Sequence, residues 1–360
     1  MRIGLLLPLN ISFAPYLRIY TNILDKLDGL EYDIIYPDKK GLHEPAKHHF
    51  DVRTEDRVSN LKKVIYYWRY SRWLVRVLKQ EKYDKLIVFG QQVAVFAYRY
   101  LSKEYKGRFI MDYRDLGLDQ KFKGIFRKIL DSCAHIVISS PGFKKYLPEG
   151  ENYILSHNFD INILRDALKD LRIEPYGLSE NDGKLEVLTI GSIRDYVQNS
   201  AVIEALGNKA RFHMTFAGRG YAAADLEKFA EEHRVENIVF TGYYEKDMEP
   251  DIIKRSTFLN IFYPRRPTHE TAISNRFYNS LIFRKPMITT VGTIQGDYTE
   301  KYNLGLAITS AESLAERLED YYQKFDSVEF EKQRTRLLNE FKRDYDIFEN
   351  TVKTFASCLK

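Results

Sequence analysis

Short apolar runs alternate with helix-length stretches in which apolar residues recur every three or four positions, and this alternation fills the chain. In the first half, Ile3–Leu7, Tyr32–Tyr36, Lys85–Phe89, Arg108–Tyr113, Ile136–Ser139 and Tyr153–Leu155 have the length and continuity of strands buried on both faces. Between them, residues 58–79 and 122–134 carry helical spacing. Strand, helix and strand in succession predict βαβ crossovers and a mostly parallel sheet. The stretch Arg172–Lys184, with a proline, two glycines and little apolar content, reads as a linker. The pattern then restarts: Leu185–Ile190, His213–Ala217, Ile238–Thr241, Thr257–Phe262 and Pro286–Thr290 read as strands, and Val328–Lys360 as a long amphipathic helix. The expected architecture is therefore α/β, with two doubly wound domains facing across a cleft. Their expected bounds are 1–170 and 184–327, with 328–360 a helical segment packing back on the first domain. Ligands bind at the strand carboxyl ends of such sheets.

A chain of 360 residues accommodates two cores, and its 44% hydrophobic and 29% charged residues exclude a disordered chain. Two cysteines, Cys133 and Cys358, form no metal-ligand spacing and no disulfide framework, so a reducing compartment is expected. The N-terminal apolar run stops after Leu9, which suits a buried strand better than a signal peptide. No stretch reaches the roughly 18–20 apolar residues of a membrane span, and a cytoplasmic protein, at most bound to the inner membrane face, is expected. Residues 1–160 carry 27 Lys and Arg against 19 Asp and Glu, whereas the remainder carries 28 against 31. The first half thus suits an anionic partner. The excess is too small and too one-sided for a nucleic-acid role.

Four segments carry candidate chemistry. After the strand Leu185–Ile190, Gly191 and Ser192 permit a tight turn whose amides, with Arg194, can face a phosphate; a plain turn with a surface arginine fits the same residues. Gly218-Arg219-Gly220-Tyr221-Ala222-Ala223 matches the dinucleotide fingerprint. The next strand, however, ends in Gly242-Tyr243-Tyr244 with no acid before Glu245, so a nucleotide sugar is preferred to NAD. Ser274 and Asn275 cap a predicted helix with an apolar face of Phe277, Leu281 and Ile282, ended by Arg284-Lys285-Pro286. A helix start and Arg276 in its first turn favour an anion, although an ordinary capped helix would look alike. In the first half, Asp112, Arg114 and Asp115 stand at the end of a strand. Asp115, and after it Asp112, are the candidate general bases, while a cap or a pair with Arg114 fits Asp115 as well. His157 and His269 are further candidates. In the 58–79 helix, Arg69, Arg72, Arg76 and Lys79 line one face beside Trp73, with Val64, Trp68, Val75 and Leu78 as the expected core side. That stripe suits anionic headgroups or simply solvent.

Taken in order, these motifs resemble GT-B glycosyltransferases of the group 1, family 4-like, bacterial surface-polysaccharide type, which are built from two Rossmann-like domains. Ser274-Asn275-Arg276-Phe277-Tyr278-Asn279-Ser280-Leu281 followed by Arg284-Lys285-Pro286 resembles their donor-site helix. Gly191–Arg194 resembles their phosphate loop, Val239–Gly242 the strand near the base, and Ser139–Phe143 with Ser156–Asn158 the end of their first domain. The resemblance covers most of the chain. It implies a hexosyltransferase that moves a sugar from a UDP- or GDP-linked donor to a saccharide or lipid-linked acceptor, in surface polysaccharide synthesis at the membrane. The donor site it implies comprises Gly191, Ser192, Arg194, Gly218, Gly242, Tyr243, Glu270, Ser274, Asn275, Arg276 and Asn279. No cofactor is implied, and metal independence is expected. Asn279 stands where many retaining members carry a glutamate, and Thr271 where they carry another, with Glu270 one residue away. Two alternatives stay open: a GT-B nucleotide-sugar epimerase or hydrolase, and a non-catalytic nucleotide-sugar-binding scaffold.

Overall fold

Every residue of Lys85–Phe89 and Phe109–Tyr113 is buried, as parallel strands covered on both faces must be. These runs lie at the middle of the first of two sheets in a computed structural model that describes residues 1–52, 59–170 and 177–358. The chain forms two compact units, Met1–Asp160 with Arg343–Lys360, and Ile161–Lys342.

The first unit holds β1 (Arg2–Leu6), β2 (Glu31–Asp38), β3 (His48–Asp51), β4 (Lys85–Phe89), β5 (Phe109–Tyr113), β6 (His135–Ile138) and β7 (Tyr153–Leu155). Their order is β3-β2-β1-β4-β5-β6-β7, and all pairs are parallel. The second unit holds β8 (Leu185–Ile190), β9 (Phe212–Ala217), β10 (Ile238–Gly242), β11 (Phe258–Ile261), β12 (Met287–Thr290) and β13 (Gly305–Ile308). Its order is β10-β9-β8-β11-β12-β13, again all parallel. Each sheet reverses its winding once, between β1 and β4 and between β8 and β11. Crevices at the strand ends form at such switch points.

The strand β3 carries no long apolar run: it is His48-His49-Phe50-Asp51 at a sheet edge, half-buried to exposed. Edge strands need one paired side and little apolar surface, which hides them from a periodicity reading.

The first boundary falls at Asp160, ahead of the expected linker, whose residues 172–176 lie outside the described residues. The helix Ile161–Lys169 buries Ile161, Leu164 and Ala167 within the second unit. There Arg334, fully buried, donates to the Ala167 carbonyl, and Arg284 bonds both Asp170 and Glu331. The last helix, Ser327–Ser357, is shared, and only from Arg343 does it count with the first unit. In that unit Phe348 meets the Tyr20 ring edge-on, and Lys85 Nζ donates to the Phe355 carbonyl at 2.6 Å. That contact explains how a lysine occupies a buried strand; burial nevertheless lowers its pKa. Among the described residues no helix is long and apolar enough to cross a membrane.

Candidate functional site

At the carboxyl edge of the second sheet, two turns pack backbone to backbone. Gly191 N donates to the Ala217 carbonyl and Gly218 N to the Gly242 carbonyl, both at 2.8 Å. A Cβ on Gly218, whose φ is +133°, would stand 2.0 Å from the Gly191 oxygen, and one on Gly220 would stand 1.9 Å from the Ile193 oxygen. Close approach of the two loops therefore accounts for the glycines of the Gly218–Ala223 fingerprint, with no dinucleotide needed.

The helix Asn275–Ile282 points its start at these loops. Ser274 caps it: its Oγ accepts from Phe277 N at 3.4 Å and donates to Gln295 Oε1 at 2.7 Å. Arg276 turns inward and is 7% exposed. Its guanidinium donates to the carbonyls of Ile190, Asn260 (3.2 Å) and Ser192 (2.9 Å), and sits 5.5 Å from the Tyr263 ring centre. The arginine expected on a diphosphate thus first ties together the ends of β8 and β11 and the loop after β8. Its partners are neutral carbonyls, and among the described residues no carboxylate pairs with it.

These elements enclose a hollow of about 530 Å³. Of the residues expected to bind a donor, Gly191, Ser192, Gly218, Tyr243, Ser274, Asn275, Arg276 and Asn279 line it. Arg194 does not: it is exposed and donates to Ser192 Oγ at 2.6 Å. Gly242 stands behind the wall as the acceptor of Gly218 N. Glu270 also stays outside, 3.5 Å from Arg265, because the short helix Pro267–Thr271 carries it away. His269 stacks on Tyr263 and accepts nothing from the hollow; its Nδ1 contacts the Pro264 carbonyl at 3.2 Å.

Sequence reasoning passed over Arg219, Tyr244, Lys246, Glu249 and Tyr263 as site residues; with Ile190 they complete the lining. Arg219 lies over the Tyr243 ring at 5.1 Å. Glu249, buried, accepts from Lys246 Nζ (2.6 Å), Asn279 Nδ2 (2.8 Å) and the Tyr244 hydroxyl (2.8 Å). Burial pushes this carboxyl up, but the bonds from Lys246, Tyr244 and Asn279 prevail and hold it below its ordinary value. Thirty positions separate Glu249 from Asn279, and no local pattern signals the pair.

No family model matches the sequence, and no curated protein does. Solved structures do match its fold. Sucrose-phosphate synthase from Thermosynechococcus elongatus superposes with a TM-score of 0.69 at 10% identity, over 99% of this chain and 100% of that one. The lipopolysaccharide outer core galactosyltransferase WaaB gives 0.61 at 14% identity, covering 99% of both chains. The UDP-GlcNAc 2-epimerase of Neisseria meningitidis, bound to UDP-GlcNAc, gives 0.62 at 11% identity over 98% and 100%. The fold is GT-B.

The first unit of this GT-B chain holds the candidate bases, and they differ sharply. Asp112 is fully buried; Arg114 reaches it twice, at 2.7 and 2.9 Å, and the Tyr20 hydroxyl donates at 2.6 Å. Arg114 also donates to Ser156 Oγ at 3.1 Å. A carboxylate enclosed this way holds the strand end together and is no base, which corrects the expectation for Asp112. Asp115 is exposed and forms no part of that pair. Protein packed around its carboxyl pushes its pKa up, against the pull of Arg114. Asp119, not Asp115, caps the following turn, accepting from Gly117 N at 2.8 Å. His157 is buried against Asp344 at 3.0 Å, and burial lowers its pKa.

On the same unit, the helix Asn60–Glu81 buries Tyr66, Tyr70, Leu74, Val77 and Leu78, with the Tyr70 hydroxyl donating to the Leu7 carbonyl at 2.9 Å. Its core face thus includes two tyrosines, and Val64 and Trp68, expected inside, are exposed. Trp73, expected at an interface, stacks on Tyr70 and packs against Phe50. Trp68 instead lines a groove of about 780 Å³ shared with the helix Gln91–Glu104, among Arg72, Arg76, Lys79 and Arg99. The Arg72 guanidinium lies 5.1 Å over the Trp68 ring.

Proposed function

We propose that this chain is a glycosyltransferase that moves a hexosyl group from a UDP- or GDP-linked donor to a saccharide or lipid-linked acceptor in surface polysaccharide synthesis. The observation that carries the reading is the hollow at the switch point of the second sheet. Loop amides, a capped helix start and the charge of Arg276 converge on it. Such a site stabilises the charge that grows on a leaving nucleoside diphosphate. The galactosyltransferase and the synthase that share the fold support the transferase reading. In it, Asp115 takes the proton of the acceptor hydroxyl, a task suited to an exposed carboxylate whose pKa is raised by the protein packed around it. The cations of the hollow replace a metal ion, so turnover is expected to survive EDTA. The cationic groove around Trp68 supports docking on anionic lipid at the inner membrane face.

Thermal unfolding with a panel of nucleoside diphosphates tests the core of the reading. A uridine or guanosine diphosphate should raise the melting temperature, and Arg276→Ala should abolish the rise. If no nucleotide shifts the transition, the reading fails. Because 2-epimerases share the fold, product analysis with donor alone separates the second reading: rapid turnover without acceptor would favour an epimerase or hydrolase.

A further inference from the structure

The edge strand β3 carries possible metal ligands on both of its faces. His48 turns toward Asp33 and Glu81, and one ligand atom from each of the three lies within 4.8 Å of the others. Those carboxylates are already taken. Arg2 donates to Asp33 at 2.7 Å and to Glu81 at 2.8 Å, and Lys47 donates to Glu81 at 2.7 Å, so a further cation would be repelled. The opposite face differs. His49 and Asp51, two positions apart on the strand, share it, and His43 from the connection between β2 and β3 meets them, again with ligand atoms within 4.8 Å. Two more carboxylates flank this cluster, and their hydrogen-bond donors are neutral. Asp38 accepts from Asn10 Nδ2 and from the amides of Leu42 and His43, and Glu44 accepts from Asn10 Nδ2 and from the amides of Ile11 and Ser12. Among the described residues no lysine or arginine pairs with Asp38, Glu44 or Asp51, so this corner attracts a cation.

The geometry suits a small tetrahedral ion. His49 Nε2 and Asp51 Oδ1 stand 3.4 Å apart, and metal bonds of about 2.1 Å place neighbouring tetrahedral ligands about 3.4 Å from each other. The backbone that carries His43 is fixed in advance. Its φ is +45°, its amide donates to Asp38 Oδ2 at 2.9 Å, and the Tyr36 hydroxyl donates to the next carbonyl, of Glu44, at 3.2 Å. The His43 ring is exposed, so a rotamer turn closes the remaining distance.

We propose that His43, His49 and Asp51 bind one divalent transition-metal ion of the Zn²⁺ class, which clips the edge strand β3 to the connection that precedes it. Two imidazoles and a carboxylate suit Zn²⁺ over Mg²⁺ or Ca²⁺, and water fills the fourth position. The clip closes the loop between β2 and β3 and pins a short strand that has one paired side only. The assignment does not depend on the nucleotide-sugar reading. No residue of the hollow supplies a ligand, so turnover that survives EDTA is compatible with it.

Calorimetric titration with Zn²⁺ of the full chain, stripped with EDTA and dialysed, tests the assignment. One equivalent should bind, Mg²⁺ should not compete, and the melting temperature should rise with Zn²⁺ and fall back with EDTA. His49→Ala should weaken the affinity about a hundredfold, and Asp51→Asn about tenfold, because each removes a ligand. His48→Ala, on the other face of the same strand, should bind Zn²⁺ as the wild type does. Co²⁺ in place of Zn²⁺ should give the visible absorption of a four-coordinate ion, and His43→Ala should lose it. His43 is exposed, so that variant carries the test if His49→Ala unfolds. The assignment is overturned if the wild type binds no equivalent of Zn²⁺, or if His43→Ala and His49→Ala bind it unchanged, as with an adventitious ion only. It is also overturned if His48→Ala removes the binding, which would place the ion on the opposite face.

Discussion

Each sheet ends in a buried arginine, and the two arginines do opposite things. In the first unit Arg114 forks onto Asp112, with Tyr20 donating to the same carboxylate, so the cluster cancels its own charge. In the second unit Arg276 donates to the carbonyls of Ile190, Asn260 and Ser192, which orient it without neutralising it. Both hold strand ends together. Only the second projects a positive potential into a hollow, since a guanidinium bonded to neutral acceptors keeps its full charge. Doubly wound sheets of the same design thus offer, at their carboxyl edges, a closed strut in one case and a cationic hollow in the other. The partner of the arginine decides which.

Breaking the first strut should cost the most. Asp112→Ala leaves Arg114 buried and unpaired, and about 4 kcal/mol of stability should be lost in denaturant unfolding. If the loss is below about 1 kcal/mol, the strut is not a strut. Arg276→Ala releases three carbonyls, for about 3 kcal/mol. Unlike Asp112→Ala, it should also erase nucleotide binding, and Arg276→Lys should recover stability only in part, because an ammonium lacks the fork. Asp115→Asn should leave unfolding unchanged yet slow turnover about a hundredfold in steady-state assays. Activity needs the deprotonated form, so it should be lost as pH falls through the raised value of Asp115.

In the groove around Trp68, Arg72→Ala with Arg76→Ala should weaken binding to anionic vesicles by about 2 kcal/mol, roughly thirtyfold, with no change on zwitterionic ones. The smallest effect is a pH dependence. Glu249 is held below its ordinary 4.5, so its contribution to stability is complete above that value and is lost as pH falls through the lower folded one. Urea unfolding between pH 6 and 3 should show a drop in the wild type that is shallower in Glu249→Gln.

The parallel sheets were readable because buried strands are continuous apolar runs: Leu185–Ile190 and Lys85–Phe89 were located to the residue. The helix cap at Ser274 was readable too, since an N-cap is a local event between one side chain and an amide three residues on. The face of the helix Asn60–Glu81 was misjudged. Tyrosines at 66 and 70 took the core, leaving Trp68 and Val64 outside, and an aromatic residue with a polar tip suits either side equally. Arg194 was placed in the site by its proximity to Gly191, but its side chain folds onto Ser192 and stays outside the hollow.

What the amino-acid order determined alone was the architecture: periodicity, caps and breaks set out two parallel α/β sheets, and most residues of the ordered motifs fall around one hollow. Tertiary structure decided the chemistry of individual groups. Whether Asp112 or Asp115 is available, whether Arg276 keeps its charge, and that Glu249 stands beside Asn279 depend on residues far apart in sequence meeting in space. Secondary structure follows from neighbours within a turn or a strand, whereas the charge and reach of a side chain follow from everything packed around it, and packing is settled only when the chain folds.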